Sequence, residues 1–449
     1  MSTLLNRLVA HLDSIRCESL TPSAVAAAKR ALLDALGCAI AAIGCEPAAI
    51  AARALARGAP AATVIGEAQP ASLEHAILLN GILVRYLDMM DVYSARDVCH
   101  PAENVPIALA SVEQAQQSGK RLIEAIVAGY EAQMRLAHAL SLQQMGMHHV
   151  TAGGMVAPLI IAKAWGLSRH VMEQAAALGG CRQFTVHALS KGGLSMAKAI
   201  GYPWAGMDAV LAVRLAEQGY TGPTAFIDWL ANEGPLKGSV DADALDRADA
   251  TMMIVRVSYK QFPIQFELQT PVELAIGLHQ QIGGAARIQA VEVSVRPITI
   301  KRTADPAKFA PKNRETADHS LPVCVAMALI DGKITAAQFE SGRWRDEDVS
   351  QLVARIRVDA SEEYDTGYPN GRPAALRVTL SDGNVLQAFQ AVPLGDVTRP
   401  MDDATITRKF LANASDALGS TRAQDIVACV HRLDELPRID ELTGLLRTP

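Results

Sequence analysis

Residues whose types could carry acid–base chemistry or hold an anion gather in four short stretches of this sequence. The first is RYLDMMDVYSARDVCHPAEN. Asp88 and Asp91 stand three residues apart with Arg85 one turn earlier, so a helix running through them sets all three on one face. His100 follows a short polar loop and precedes Pro101. Proline biases its predecessor toward extended backbone and then suits the first turn of a helix, so His100 is expected to project from a helix entrance. A carboxylate beside an imidazole there forms an acid–base pair, the carboxylate fixing the ring tautomer and raising its basicity. Spacing alone fits a solvated helix end with a capping aspartate equally well.

The second stretch, GMHHVTAGGMVAPLIIAKAWG, sets two adjacent histidines before an apolar helix and so one imidazole near a helix N-terminus, where the neutral ring is favoured over the cation. HxxxH and HExxH spacings are absent, and adjacent histidines do not readily ligate one ion, so no metal site is expected. The other two stretches are basic. Lys198 lies just before a small-residue helix, and Lys260 lies where the hydrophobic period changes. A lysine at such a junction can clamp a carboxylate as a point charge, although composition equally accommodates surface lysines. GxGxxG and GxxxxGK[ST] are missing, which argues against a nucleotide cofactor, and the lack of GxSxG argues against a serine hydrolase.

These residues must be held by mostly helical elements. Up to about Gly234 the chain is alanine-rich, with apolar residues at three- and four-residue intervals. Thr21-Pro22 reads as a helix start, followed by Val25, Leu32, Leu33, Leu36 and Ile40 on or near one face. Small side chains suit closely approaching helices. Around residue 250 the period changes: Val291, Val293 and Val295 alternate with polar residues, as do Ile356 and Val358, and Asp382-Gly383 sits between two alternating runs as a hairpin turn. Helical stretches at Thr270–Gln280 and Leu321–Ile330 lie between them, and helical patterning returns after Pro400. The expected fold is mainly α with an α+β part: a large all-helical domain from both chain ends, 1–257 and 396–449, with a smaller α+β lid, 258–395, inserted late.

Composition narrows the partners. The chain has 449 residues, 50% of them hydrophobic, and a formal net charge of −5, so it has ample material for a core and lacks the basic footprint of a nucleic-acid binder. Aromatic residues make up only 4%, leaving few stacking platforms for bases. The apolar run Ala35–Cys45 is too short to span a bilayer, so no membrane partner is expected. The N-terminus shows no secretory pattern, and seven cysteines are scattered without a CxxC pair. A cytoplasmic protein with reduced thiols and no iron–sulfur cluster is expected.

Several strings together resemble the MmgE/PrpD family, which includes 2-methylcitrate dehydratase, cis-aconitate decarboxylase and iminodisuccinate epimerase. LDMMD resembles the family's LDFDD, HPAEN its HPSDN, GMHHV its GLDHV and YTGP its FTGP. FPIQFELQTPVE is similar to FPAEFHAQTAVE at the start of the lid, and ADHSLPVCVA to the DHSLPY region. YPNGRPAALRVTLSDG, RPMDD and the Lys409-Phe410 pair resemble the C-terminal signature. The resemblance implies a helical domain with an α+β lid, a homodimer, and a cofactor-free site between the domains for a small anionic carboxylate. It carries the family's active-site positions onto Asp88, His100, His149, Lys198 and Lys260, with Asp91 a further match. His149 is preferred to His148 because the family's histidine directly precedes the position of Val150. Val92, Met90 and Val323 depart from the family's Thr, Asp and Tyr.

The reaction implied first is a hydro-lyase elimination of water from a di- or tricarboxylic acid, as in 2-methylcitrate dehydratase. Lys198 and Lys260 bind carboxylates, His100, oriented by Asp88, exchanges the proton, and His149 protonates the leaving hydroxyl or the other face. Asp91 is expected among the substrate-binding residues. Epimerisation or isomerisation, decarboxylation, and carboxylate binding without catalysis are the other readings, the last two bearing on Val92 and Val323.

Overall fold

The computed structural model describes residues 2–249, 251–365 and 371–448. Tyr368, Pro369 and Asn370 of the C-terminal signature lie outside the described residues. The chain is mainly α with an α+β part, and its hydrophobic side chains form two cores. One takes residues from Leu4 to Tyr259 and again from Met401 to Leu446; the other takes residues from Phe262 to Leu380.

The Pro22–Ala41 helix begins where its cap allows: the Thr21 hydroxyl accepts from the Ala24 N–H at 3.3 Å, and Pro22 occupies a position that needs no donor. Alanines let neighbours close around most of its circumference. Gly37 is needed there, because a Cβ would meet the Phe410 ring of the Asp403–Leu418 helix at 3.1 Å. That C-terminal helix is itself capped by Asp402 and anchored through Lys409, whose Nζ lies 2.6 Å from Asp34. The two chain ends thus close one helical body.

At its centre the Leu73–Tyr86 and Ala197–Glu217 helices pack closely. A Cβ on Gly81 would lie 2.6 Å from Pro203, and one on Gly206 would lie 2.9 Å from Ile77. The crossing sets Arg85, at the C-terminal end of one helix, near Lys198, in the first turn of the other; both close on Asp88.

In the lid, four strands run in the order Ile356–Ala360, Ile288–Val295, Ala374–Leu380, Val385–Gln390. Ile288–Val295 pairs parallel with the first, Val293 opposite Val358, and antiparallel with the third, Val293 opposite Leu376. Val291, Val293 and Val295 face inward against the Gln269–Ile282 and Leu321–Asp331 helices, and the Asp382-Gly383 turn joins the last two strands. Body and lid are stitched where Val92 pairs with Ser258 and where the Tyr259 N–H donates to Gly395 O at 2.8 Å.

One expectation fails here. The 73–86 helix stops before the aspartates, and Asp88 sits at φ +51 in the left-handed region, so Asp88 and Asp91 share no helix face. Aspartate tolerates that region better than most residues, and the turn redirects the chain into the short Tyr93–Ser94 and Val98–Cys99 pair that leads to His100. No single helix among the described residues is long and apolar enough to cross a membrane.

Candidate active site

A cavity of about 120 Å³ lies where the body meets the lid. Asp88, His100, His149 and Lys260 line it beside Glu267, Arg302, His319 and Arg372 from the lid.

Asp88 is the hub. Its carboxylate accepts from Arg85 and stands 3.1 Å from Lys260 Nζ and 3.6 Å from Lys198 Nζ; Lys260 also donates to its carbonyl at 2.7 Å. Burial works against the Asp88 charge, yet Lys198, Lys260 and Arg85 together outweigh it and hold the carboxyl well below its usual range. The lysines show the converse. Burial, with Arg85 and Lys198 adding repulsion against the pull of Asp88, brings fully buried Lys260 down to about 8. Lys198 is lowered by burial as well, although Asp318 and Asp88 oppose it. Three cations converge on Asp88, one of them shared with Asp318, 3.6 Å from Lys198, and buried charge in excess is stable only when matched. The arrangement suits an anionic guest.

His100 occupies the entrance foreseen for it, capping the Pro101–Asn104 turn that leads into the Val105–Gln114 helix. Its Nδ1 lies 2.7 Å from the Asp91 carbonyl. A carbonyl only accepts, so Nδ1 carries the hydrogen and Nε2 keeps a lone pair. Burial, then Arg85 and Lys260, keep the ring neutral by pushing it well below its usual range. His100 is therefore oriented by the Asp91 backbone and not by the Asp88 carboxylate, which is committed to its cations. The Asp91 side chain is also taken, accepting from the Tyr130 hydroxyl at 2.6 Å and the Ala102 N–H at 2.9 Å. It is fully buried outside the cavity wall, so the expected substrate contact gives way to a structural knot. Burial lifts Asp91 to about 7 against those two hydrogen bonds.

The paired histidines head the His149–Ala152 turn before the Gly153–Trp165 helix. The His149 ring centroid is 5.3 Å from that of His100 and 4.1 Å from that of His148. Burial, then His148 and His100, push His149 well below its usual range. His148 falls to about 3, mainly through burial, and its Nδ1 accepts from the Val150 N–H at 3.4 Å.

Across the cavity, Glu267 lies 2.6 Å from Arg296, 3.3 Å from Arg302 and 3.8 Å from Arg372. Burial opposes its charge, but Arg372, Arg296 and Arg302 bring it to about 2. Arg372 also stacks over Phe266, 3.9 Å from the ring centroid.

Of the six residues singled out in the sequence, Asp88, His100, His149 and Lys260 meet in the cavity wall. Lys198 stands behind it, because its ammonium is drawn toward Asp88 and Asp318, each 3.6 Å away. Sequence reasoning missed the lid's His319, whose Nδ1 is 2.5 Å from Asp318 and whose Nε2 is 3.8 Å from Asp88. Burial, then Lys198, lower this ring to about 4. It missed Glu103 too. Both lay within strings already noticed, ADHSLPVCVA and HPAEN, where a titratable residue beside a known motif was the available signal. Val92 lines the cavity, while Val323 is buried in the lid core. Among the described residues no group of three or more His, Cys, Asp or Glu is arranged to hold a metal ion.

A helical body and an α+β lid enclosing an acid–base pocket rich in cations define the class. The chain belongs to the MmgE/PrpD family: residues 6–238 match the MmgE/PrpD N-terminal domain and residues 262–435 the C-terminal domain. The second match continues into segments that pack in the body's core. The chain is similar to the 2-methylcitrate dehydratase of Escherichia coli (strain K12), 25% identical over 393 residues covering 80% of this chain and 79% of the relative. It is 28% identical to that of Cupriavidus necator over 395 residues, with the same coverage. Cis-aconitate decarboxylase of Mus musculus is 24% identical over 401 residues, covering 84% of this chain and 78% of the relative.

Proposed function

We propose that this chain is a cytoplasmic, cofactor-independent hydro-lyase that eliminates water from a small di- or tricarboxylic acid of the 2-methylcitrate kind. The observation that carries the reading is the meeting, in and just behind one cavity wall, of a neutral imidazole with an open Nε2 lone pair and the buried cations Arg85, Lys198 and Lys260, which outnumber the carboxylates Asp88 and Asp318. The names of the relatives favour dehydration over other reactions of such acids.

Removing a proton from a carbon beside a carboxylate drives charge onto that carboxylate. Lys260 in the wall, with Lys198 reinforcing the field from behind, stabilises the charge where it develops. His100 Nε2 takes the proton. His149, on the adjoining wall, delivers one to the departing hydroxyl. Arg302 and Arg372 at the lid side receive a second carboxylate of the substrate. Closure of the lid over the body excludes water from the charged intermediate. A homodimer belongs to the same proposal, supported by Trp204 and Leu211, large apolar residues exposed on the Ala197–Glu217 helix.

The test is a turnover screen with methylcitrate, citrate, cis-aconitate and tartrate-like acids, following alkene absorbance and repeated in deuterated water. Dehydration produces the absorbing alkene, and His100→Ala and Lys198→Ala each abolish it in a folded protein. Deuterium incorporation with no loss of water replaces the reading by epimerisation, and release of carbon dioxide replaces it by decarboxylation. Ligand-dependent thermal stabilisation without any turnover makes the chain a binding relative.

A further inference from the structure

His149 is asked to give up a proton, yet the site denies it an imidazolium. Burial, His148 and His100 hold the ring neutral. A neutral imidazole releases its one N–H proton readily only when its other nitrogen gains one at the same time. The structure places a donor behind that other nitrogen. Nε2 of His149 is sealed from solvent with no hydrogen-bond partner, and Oε2 of Glu103 lies 3.9 Å away. Both Glu103 oxygens are likewise buried without a hydrogen-bond partner, and the residue is 2% exposed. Buried polar atoms left open on both sides of so short a gap are uncommon, and functional sites are where they persist.

The surroundings of Glu103 are defined on every side. Arg85 Nε is 3.3 Å from Oε1. Asp88 and Asp91 face it from the following loop, Lys260 from the seam with the lid, and Tyr202 and Cys99 from the body. Burial, assisted by Asp91 and Asp88, outweighs Arg85 and lifts Glu103 to about 8, so the group is a carboxylic acid at neutral pH.

We propose that Glu103 and His149 form a two-residue proton relay that makes His149 a general acid. Substrate entry closes the gap between Glu103 and Nε2. As the C–O bond of the substrate breaks, the Nδ1–H of His149 passes its proton to the departing hydroxyl to form water, and the Glu103 O–H passes its proton to Nε2. The ring is neutral before and after, and the negative charge ends on Glu103, beside the Arg85 guanidinium. The electron pair for the new double bond comes from the C–H bond opened by His100. The cycle closes when His100 loses that proton to solvent, the Nε2–H of His149 returns its proton to Glu103, and Nδ1 takes one from solvent. Glu103 touches no substrate atom; it is a positioning residue acting through His149. The same Pro101–Asn104 turn therefore fixes both proton-handling groups, the base at its cap and the proton reserve at its third residue.

This inference rests on the polycarboxylate reading, and its test separates the two. Infrared difference spectra between the wild type and Glu103→Gln should show a carboxylic-acid carbonyl band at pH 7 that fades as the pH rises through about 8. Nitrogen-15 shifts of His149 in the wild type should place its hydrogen on Nδ1. Turnover by Glu103→Gln should fall ~100-fold or more in kcat with KM little changed, as expected when general-acid assistance is lost. Glu103→Asp, which keeps the acid, should recover a large part, and the alkaline limb of the pH–rate profile that belongs to Glu103 should vanish in Glu103→Gln. An ionised Glu103 at pH 7, a His149 ring with its hydrogen on Nε2, or wild-type kcat in Glu103→Gln overturns the relay. If the wild type turns over none of the acids, the polycarboxylate reading fails by itself, and the two spectroscopic measurements still decide the protonation states that the relay requires.

Discussion

Replacing Asp88 with asparagine isolates the charge at the centre of the site. Asparagine accepts the left-handed backbone at φ +51 as readily as aspartate, and the carbonyl that receives the Lys260 ammonium is unchanged. Only the negative charge is lost. At an effective dielectric of ~20, a unit pair at these separations is worth ~5 kcal/mol, more than three decades of proton affinity. Lys260, at about 8 with Asp88 in place, therefore drops below neutrality, and Lys198 is lowered with it. The sign for stability follows from a depressed lysine: its contribution is complete above the unfolded value and is lost as pH falls through the folded one. At pH 7 the wild type already bears ~3 kcal/mol of this cost for Lys260, and complete deprotonation caps it near ~4.6 kcal/mol. The added loss from Lys260 is thus only ~1.4 kcal/mol. The variant's binding changes in kind. A tricarboxylate such as tricarballylate must now recharge Lys260 as it enters. Calorimetry at pH 7 in buffers of different ionisation enthalpy should show close to one proton taken up per ligand at Lys260, against ~0.1 in the wild type. The affinity of the variant should also decline with pH from below neutrality, whereas the wild type holds until about 8. Equal proton uptake in the two proteins, or a flat affinity through pH 8 in the variant, refutes the charge balance drawn around Asp88.

Two further outcomes concern the lid and its seam. Glu267 lies at about 2 in the folded lid, so its ion pairs contribute stability above the unfolded carboxyl value and lose it as pH falls toward 2. Glu267→Gln should cost ~3 kcal/mol in urea unfolding at pH 7 and progressively less below pH 4; an equal loss at pH 7 and pH 2.5 contradicts the assignment. Gly395 has φ +93, and a Cβ there would lie 2.0 Å from the Tyr259 carbonyl, whereas Gly383, at φ +85, has open space. Gly395→Ala should therefore lower stability by ~3 kcal/mol and expose the seam to limited proteolysis, while Gly383→Ala costs ~1 kcal/mol, the price of backbone strain alone; similar melting temperatures for the two variants argue against the close approach.

Much of the fold was legible because it is written in local signals. Thr21-Pro22 starts a helix for reasons confined to one turn, Val291, Val293 and Val295 carry the pleat of a strand in their own alternation, and Asp382-Gly383 supplies the backbone freedom its turn needs. His100 could be placed at a helix entrance because Pro101 restricts it directly. The helix expected to carry Asp88 and Asp91 was misread for an equally physical reason. Their spacing fits a helical face, but the left-handed turn at Asp88 is stabilised by Arg85, Lys198 and Lys260, and two of those three lie more than a hundred residues away.

The sequence by itself determined which residue types were present for proton transfer and anion binding, where most helices and strands begin, and which family the chain resembles. The tertiary structure decided how they are used. It turned the Asp91 side chain into a buried knot and its carbonyl into the partner of His100. It set Lys198 behind the wall, brought His319 from the lid to Asp88, and left Glu103 facing His149 in the buried interior. Hydrogen-bond direction and desolvation depend on neighbours brought together from distant parts of the chain, and these decide which nitrogen bears a proton and which carboxyl remains an acid.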